Sequence, residues 1–393
     1  MKDRSWCSQR SQGRQYGRYV SVGGTILFFL GILQWQRVMF LRPTTSSDSI
    51  INKDNREEPS ITTESESLEE DRFVAIINKD DREEPSNTTE SPEKDPLQVA
   101  WVMSFPNSGT SYTMKLIQRY SKTTAATNYV SEIVDETKPV YIDVQQKGPF
   151  VLHPPRNRPP KYIATKTHCA QERGSTSIFQ IDSASMFEKA CADRHELRNG
   201  RQIHTYYSSM VHRAIHIIRD PFDNVVSRFH HFLKHGKQKY THGFNKTKEG
   251  FRAYCRRSNK PFHRLKWNAT LIFGDDPHKE EKLLHFFPKV PCYTAFLQYT
   301  QWHNFAVAML QQRGLSRLDL FYEDYSTRFK ETVEELFDFL ALKPAREGAH
   351  LPRFVVGKKY IDYYEPHEIK AAKKLIREIA SPETMELLER YLH

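Results

Sequence analysis

The chain has 393 residues, 38% hydrophobic and 12% aromatic, enough to bury a large core, and a net charge of +10. Charge is uneven, +6 over residues 1–42, −10 over 43–96 and +14 over 97–393, which excludes one uniform globule. The basic part favours anionic partners, yet it contains no recognisable nucleic-acid module, so no nucleic-acid partner is expected.

Residues 1–18 read as a cytosolic tail, with Lys2, Arg4, Arg10, Arg14 and Arg18 against Asp3. Residues 19–36 read as a transmembrane signal anchor, built on YVSVGGTILFFLGILQW, an uncharged stretch of about 17 residues near the lower limit for a membrane helix. The basic flank predicts a cytosolic N-terminus and a lumenal remainder, a single-pass type II arrangement, although Arg37 and Arg42 weaken the contrast. A cleaved signal peptide is the other reading, but QWQRVMF has no small-x-small cleavage site. The short span suits a thin early-secretory bilayer, so a Golgi membrane is the expected location.

Residues 37–96 read as a disordered acidic stem. IINKDNREEPSITTES (50–65) recurs as IINKDDREEPSNTTES (76–91), and so short an acidic, Ser/Thr-rich duplication buries too little apolar surface to offset its ordering entropy. Sequons begin at Asn87, Asn245 and Asn268 on the predicted lumenal side. Cys7 falls on the cytosolic side, which leaves Cys169, Cys191, Cys255 and Cys292 in an oxidising compartment. Proximity in sequence alone favours pairing 169 with 191 and 255 with 292, against two other pairings or four buried thiols. No zinc-ligand spacing occurs, and no metal is expected.

The folded head begins near Leu97. LQVAWVMSF, KYIATKTH, RAIHIIRD and RLDLFYED read as strands, and TMKLIQRY, DNVVSRFHHFL and ETVEELFDFLAL as helices after or between them. This pattern predicts a parallel α/β sheet whose ligands bind beyond the carboxyl ends of the strands, where all four motifs fall. PHEIKAAKKLIREIA and SPETMELLERYLH predict two closing helices, the second capped by Ser381 with Pro382 in its first turn.

In SFPNSGTSYT, Pro106, Ser108 and Gly109 predict a tight turn between strand and helix, with backbone N–H groups directed at an anion. GxxxxGK[ST] is absent, which disfavours an ordinary ATPase or GTPase. The stretch resembles the 5′-phosphosulfate loop of sulfotransferases, whose cytosolic members carry Thr-Tyr-Pro-Lys-Ser-Gly-Thr-Thr-Trp. Three more motifs agree in order: KTH (Lys166 to His168), RDPFDNVVSRFHHF with Arg219 and Ser227, and LFYED (Leu320 to Asp324). The resemblance covers roughly residues 97–342.

That resemblance implies a P-loop-like three-layer α/β fold, a central parallel sheet flanked by helices. It implies transfer of a sulfuryl group from 3′-phosphoadenosine 5′-phosphosulfate (PAPS) to an acceptor hydroxyl. Asn107, Ser108, Gly109, Thr110, Ser111 and Tyr112 are then the 5′-phosphate and adenine contacts, Arg219 and Ser227 the 3′-phosphate anchor, and Tyr322 the completion of the base pocket. His168 is the candidate general base, because an imidazole can take a hydroxyl proton near neutral pH. Lys166 is the candidate cation for charge developing on the bridging oxygen. RFVVGKKY, with Gly357, Lys358 and Lys359, loosely matches a segment that closes over the 3′-phosphate.

The chain departs from the family pattern at Asn107, where cytosolic members have lysine; Lys166, helped by Lys115, would supply the charge. His230 and His231 read as helix-face residues. The Pro-rich KGPFVLHPPRNRPPKY (147–162) and residues 234–290 are expected to form acceptor walls. The lumenal topology implies a glycan, a glycoprotein or a tyrosine-containing protein as acceptor, with a glycan or glycoprotein preferred. The alternative is a catalytically weak or inactive nucleotide- or glycan-binding protein on the same fold; a kinase-like enzyme is a third reading, disfavoured by the missing Walker lysine.

Overall fold

The computed structural model describes residues 97–130, 139–141, 147–152, 154, 156–170, 178–195, 203–236, 241, 243–260, 277–345, 354 and 360–393. The tail, the apolar stretch at 19–36, the stem, Asn87, Asn268, and Arg353, Gly357, Lys358 and Lys359 lie outside the described residues. Among the described residues no helix is long and apolar enough to cross a membrane.

The first strand, β1 (Gln98–Ser104), is apolar almost throughout and buried on both faces, the signature of a central strand in a covered parallel sheet. Its alternate residues enter different cores. Val99, Trp101 and Met103 point into one cluster and Ala100 and Val102 into another, so helices must cover both faces of the sheet. The seven described strands of this sheet run β3-β4-β2-β5-β1-β8-β9, with β2 (Ala126–Thr127), β3 (Pro139–Tyr141), β4 (Lys147–Val151), β5 (Tyr162–Thr167), β8 (Val211–Ile218) and β9 (Ser316–Phe321). β2, β5, β1, β8 and β9 are parallel, while β4 pairs antiparallel with β2 and β3 with β4. The expected parallel sheet is present, extended by an antiparallel edge. That edge takes up part of the Pro-rich segment: Lys147–Val151 is a sheet strand. β6 (Asp193–His195) and β7 (Ile203–Thr205) form a separate antiparallel pair.

On one face lie α1 (Thr110–Ser121) and, further along the chain, Phe329–Phe339, whose Met114, Ile117, Val333, Leu336 and Phe337 join the second cluster. Pro221–His235 (α3, following α2 at Ala184–Cys191) covers the other face through Phe222, Val225, Val226 and Phe229, the i, i+3, i+4, i+7 positions of an amphipathic helix. The 21-residue helix Tyr293–Arg313 packs there too and is buried on nearly every side. Its sequence has no clear apolar stripe because it has little solvent-facing side, which is why the sequence pattern did not reveal it. The closing helices Pro366–Ile379 and Pro382–Leu392 form as expected, and the Ser381 hydroxyl accepts from Thr384 N at 3.2 Å.

Both disulfides join the cysteines that lie closest in sequence, Cys169 with Cys191 and Cys255 with Cys292. The first ties the second residue beyond β5 to the end of α2; the second ties the helix Lys248–Asn259 to the start of Tyr293–Arg313.

Candidate active site

Strand order brings the motifs together. β5, β1, β8 and β9 are neighbours in parallel register, with Met103 opposite Thr167, Ser104 opposite Ile217, and Ile218 opposite Phe321. Their carboxyl ends therefore deliver His168, the loop 105–109, Arg219 and Tyr322 in a row along one sheet edge. A cleft of about 610 Å³ opens there, and Asn107, Gly109, Thr110, Ser111, Tyr112, Lys166, His168, Arg219, Ser227 and Tyr322 all line it. Of the predicted contacts, Lys358 lies outside the described residues, and Ser108 does not line the cleft. Ser108 is fully buried: its amide donates to Phe105 O at 3.3 Å, and its hydroxyl accepts from Asn224 Nδ2 at 3.0 Å. It shapes the loop from behind.

The loop turns because two residues adopt left-handed backbone, Asn107 (φ 67°) and Gly109 (φ 103°). At Gly109 a Cβ would also lie 2.2 Å from Tyr322 Cδ2, so only glycine lets the tyrosine ring close against the loop. The helical hydrogen-bond ladder begins with Thr113 N donating to Gly109 O at 3.1 Å. The amides of Thr110 and Ser111 thus sit in the first turn, where no carbonyl of the helix can reach them and an anion is favoured. The Ser104 and Thr110 hydroxyls are hydrogen-bonded to each other, and Lys166 Nζ donates to Ser111 Oγ at 3.1 Å.

Arg219 locks the loop to the next helix. Its Nη1 donates to Asn107 O at 2.7 Å and Ser227 Oγ at 3.2 Å, its guanidinium lies 4.6 Å over the Tyr322 ring, and its buried Nε has no hydrogen-bond partner among the described residues. A guanidinium only 7% exposed, with its Nε–H unsatisfied among the described residues, favours an anion beside it. Asn224 reinforces the joint by donating to Pro106 O at 2.9 Å. Asp220 caps α3 by accepting from Phe222 N and Asp223 N; burial, then the nearby Asp223 charge, pushes its carboxyl up to about 7. Burial raises the Tyr112 hydroxyl to about 12, aided by Tyr322, and Tyr322 is raised for the same reason. Both stay neutral phenols. Tyr112, Tyr322 and Phe354 form an aromatic corner with ring centroids 5.1 Å apart in the Tyr112–Phe354 and Tyr322–Phe354 pairs.

At the other end, His168 Nδ1 lies 3.0 Å from Ser104 O. A carbonyl only accepts, so Nδ1 holds the proton and Nε2 carries the lone pair in the neutral ring. Three further contacts fix the residue: its N–H donates to Tyr129 Oη at 2.6 Å, its ring stacks on Tyr129 at 5.7 Å, and its carbonyl accepts from Trp302 Nε1 at 2.9 Å. Tyr129, between His168 and His195, belongs to no motif; no sequence signal pointed to it. Burial lowers His195 to about 4, which keeps that ring neutral.

Lys115 is exposed on α1 and does not line the cleft, so it gives Lys166 no help there. Lys166, in contrast, is 5% exposed near the end of β5. His230 is packed on the helix face against Tyr363, with Nε2 to Oη 3.0 Å, as expected. His231 differs, since it lines the cleft with Arg228, Phe232, His235, Gly236 and Tyr254. The spacing of Ser227, Arg228, His231 and His235 along one helix was the available signal for this. Among the described residues, none in 147–162 lines the cleft, whereas His235, Gly236 and Tyr254 from 234–290 do.

A parallel α/β sheet with a glycine-turned loop at a helix N-terminus, a buried arginine and an oriented imidazole along one edge defines the class of α/β proteins that offer an anion-binding cleft at the strand ends. Residues 98–351 match the family described as "Sulfotransferase domain", and the chain belongs to that family. No curated protein matches its sequence significantly. It is similar in structure to mouse sulfotransferase SULT7A1 complexed with PAP (14% identity, 75% of this chain and 89% of that chain covered, TM-score 0.34). It is also similar to a sulfotransferase from Alicyclobacillus acidocaldarius (10% identity, 75% and 95% covered, TM-score 0.34).

Proposed function

We propose that this sulfotransferase moves a sulfuryl group from PAPS to a hydroxyl on a glycan or glycoprotein, in the Golgi lumen, held by a single type II anchor at residues 19–36. The observation that carries the chemistry is the 3.0 Å contact between His168 Nδ1 and Ser104 O, which puts the proton on Nδ1 and the basic lone pair on Nε2. The acceptor oxygen attacks sulfur as Nε2 takes its proton, the bond from sulfur to the bridging oxygen breaks, and adenosine 3′,5′-bisphosphate (PAP) leaves. Lys166 stabilises the charge that grows on that bridging oxygen.

The first-turn amides and the Thr110 and Ser111 hydroxyls suit the 5′-phosphate, and Arg219 with Ser227 suits the 3′-phosphate. Arg219 Nε supports this assignment, being buried without a partner among the described residues. Asn107 brings no charge to the loop, but its carbonyl accepts from Arg219, so it couples the two anchors where relatives place a lysine. Two disulfides and an exposed Asn245 sequon support the lumenal assignment.

The test is incubation of the full chain with PAPS and a panel of lumenal glycans, peptides and phenols, with product masses as readout. His168→Ala is expected to lower turnover by about 10²–10⁴ while PAP still binds. Transfer that survives this change rejects His168 as base. Absence of base-dependent transfer despite PAP binding favours the inactive binding protein that Asn107 raises.

A further inference from the structure

We propose that the cleft-facing stripe of α3, Arg228 with His231 and His235, forms an acceptor subsite for an acidic sugar, whose anionic group pairs with Arg228. This inference rests on the sulfotransferase reading and names the acceptor class of the same site.

Arg228, His231 and His235 fall at i, i+3 and i+7, on one face of the helix, and all three line the cleft. Arg228 lies 4.8 Å over the ring of Phe105, the residue after the Ser104 carbonyl that orients His168. The Phe105 ring in turn packs edge-on against Trp302 at 6.3 Å, and Trp302 Nε1 donates to the His168 carbonyl, so one aromatic relay separates Arg228 from the backbone of the candidate base. Its Nη1 is buried and has no hydrogen-bond partner among the described residues. Burial pushes its pKa below the usual arginine value, partly opposed by Tyr254. A guanidinium still remains charged, and a buried charge lacking a counter-ion is unfavourable until an anion meets it.

Arg219 is different, because its Nη1 is already engaged by Asn107 O and Ser227 Oγ at the donor end. Arg228 meets the loop only through the Phe105 ring, with no hydrogen bond from Nη1 among the described residues. Beyond it the two imidazoles lie 4.6 Å apart and exposed at the rim, where they can hydrogen-bond hydroxyls. Phe232 and Tyr254, 5.3 Å apart, also line this end. Aromatic faces beside polar rim groups suit a pyranose, with C–H bonds on its face and hydroxyls at its edge. A carboxylate or sulfate on that ring supplies the counter-charge that a neutral sugar or phenol lacks.

The experiment uses the full chain in detergent and two probes, an unsulfated glucuronate-containing tetrasaccharide and its carboxyl-reduced counterpart. Binding of each probe and of PAP is measured by calorimetry, and sulfate transfer separately. The acidic probe is expected to bind about tenfold or more tighter than the reduced one. Arg228→Gln should bring that ratio towards one and Arg228→Lys restore part of it, with PAP affinity held within about twofold. Should Arg228→Gln fail to fold, Arg228→Lys, which loses the planar fork, should still lower the ratio severalfold, and His235→Ala at the exposed rim should weaken both probes by a similar factor. Equal binding of the two probes overturns the subsite. So does a fall in PAP affinity with Arg228→Gln matching the fall in tetrasaccharide affinity, which would give Arg228 to the donor. PAP binding without transfer to any acceptor defeats the proposed reaction instead, and the probe ratio then still decides the subsite.

Discussion

The two halves of the helix Pro221–His235 face one cleft and are built in opposite ways. In the first half Asp220 caps the helix, Asn224 holds Pro106 and Ser108, and Ser227 accepts from Arg219. In the second half Arg228 has a buried nitrogen without a partner among the described residues, and two exposed imidazoles follow. A donor of fixed chemistry can be met by a rigid, internally bonded frame. Acceptor selection requires polar groups that remain unsatisfied until the right partner arrives.

The largest expected effects come from the disulfides, which stand behind different halves of this arrangement. They close loops of 22 and 37 residues, and chain-entropy arguments put the stability lost on removing either at about 3–4 kcal/mol. Cys191→Ser should also lower turnover, because Cys169 adjoins His168, whereas Cys292→Ser should act on acceptor affinity through Tyr254; chemical melts paired with kinetics separate these. Identical kinetic profiles would erase the distinction.

Arg219→Met should weaken PAP binding on the order of a hundredfold by removing a buried charge-assisted anchor, as calorimetry would show. Loss of tetrasaccharide affinity alone would reverse the two halves. Gly109→Ala forces a Cβ to within 2.2 Å of Tyr322 at φ +103°. It should cost about 1–3 kcal/mol in stability and weaken PAP binding; unchanged melts and affinity would show that the loop frame is not rigid.

The last effect is on pH dependence. The Asp220 carboxyl is raised from 3.8 to about 7 in the folded state, so between those values the fold binds more protons than the unfolded chain and loses stability as pH rises. The loss levels off above about pH 7. Asp220→Asn retains an N-cap and should flatten this slope in melts across that window; an unchanged slope assigns the pH dependence to other groups.

Much of the geometry around the loop 105–109 was legible in the sequence because each piece is local. A strand followed by a Gly turn and a helix, an Arg and a Ser eight residues apart, and a Lys-Thr-His at a strand end are contiguous patterns whose backbone consequences are nearly context-free. The pairing of cysteines close in sequence was also readable. The Arg228 side of the cleft was less so. Arg228 and His231 look like ordinary helix-surface residues until the packing of Lys248–Asn259 brings Tyr254 beside them.

Composition, apolar periodicity and four ordered motifs by themselves determined the α/β class and the family, since strand and turn propensities act over a few residues. Only the tertiary structure decided which motif neighbours which, through the strand order β5-β1-β8-β9. It also set the tautomer of His168, the internal use of Ser108, and the position of Arg228 over Phe105. Those depend on contacts between residues far apart in the chain, where burial rather than local propensity decides which polar groups find partners.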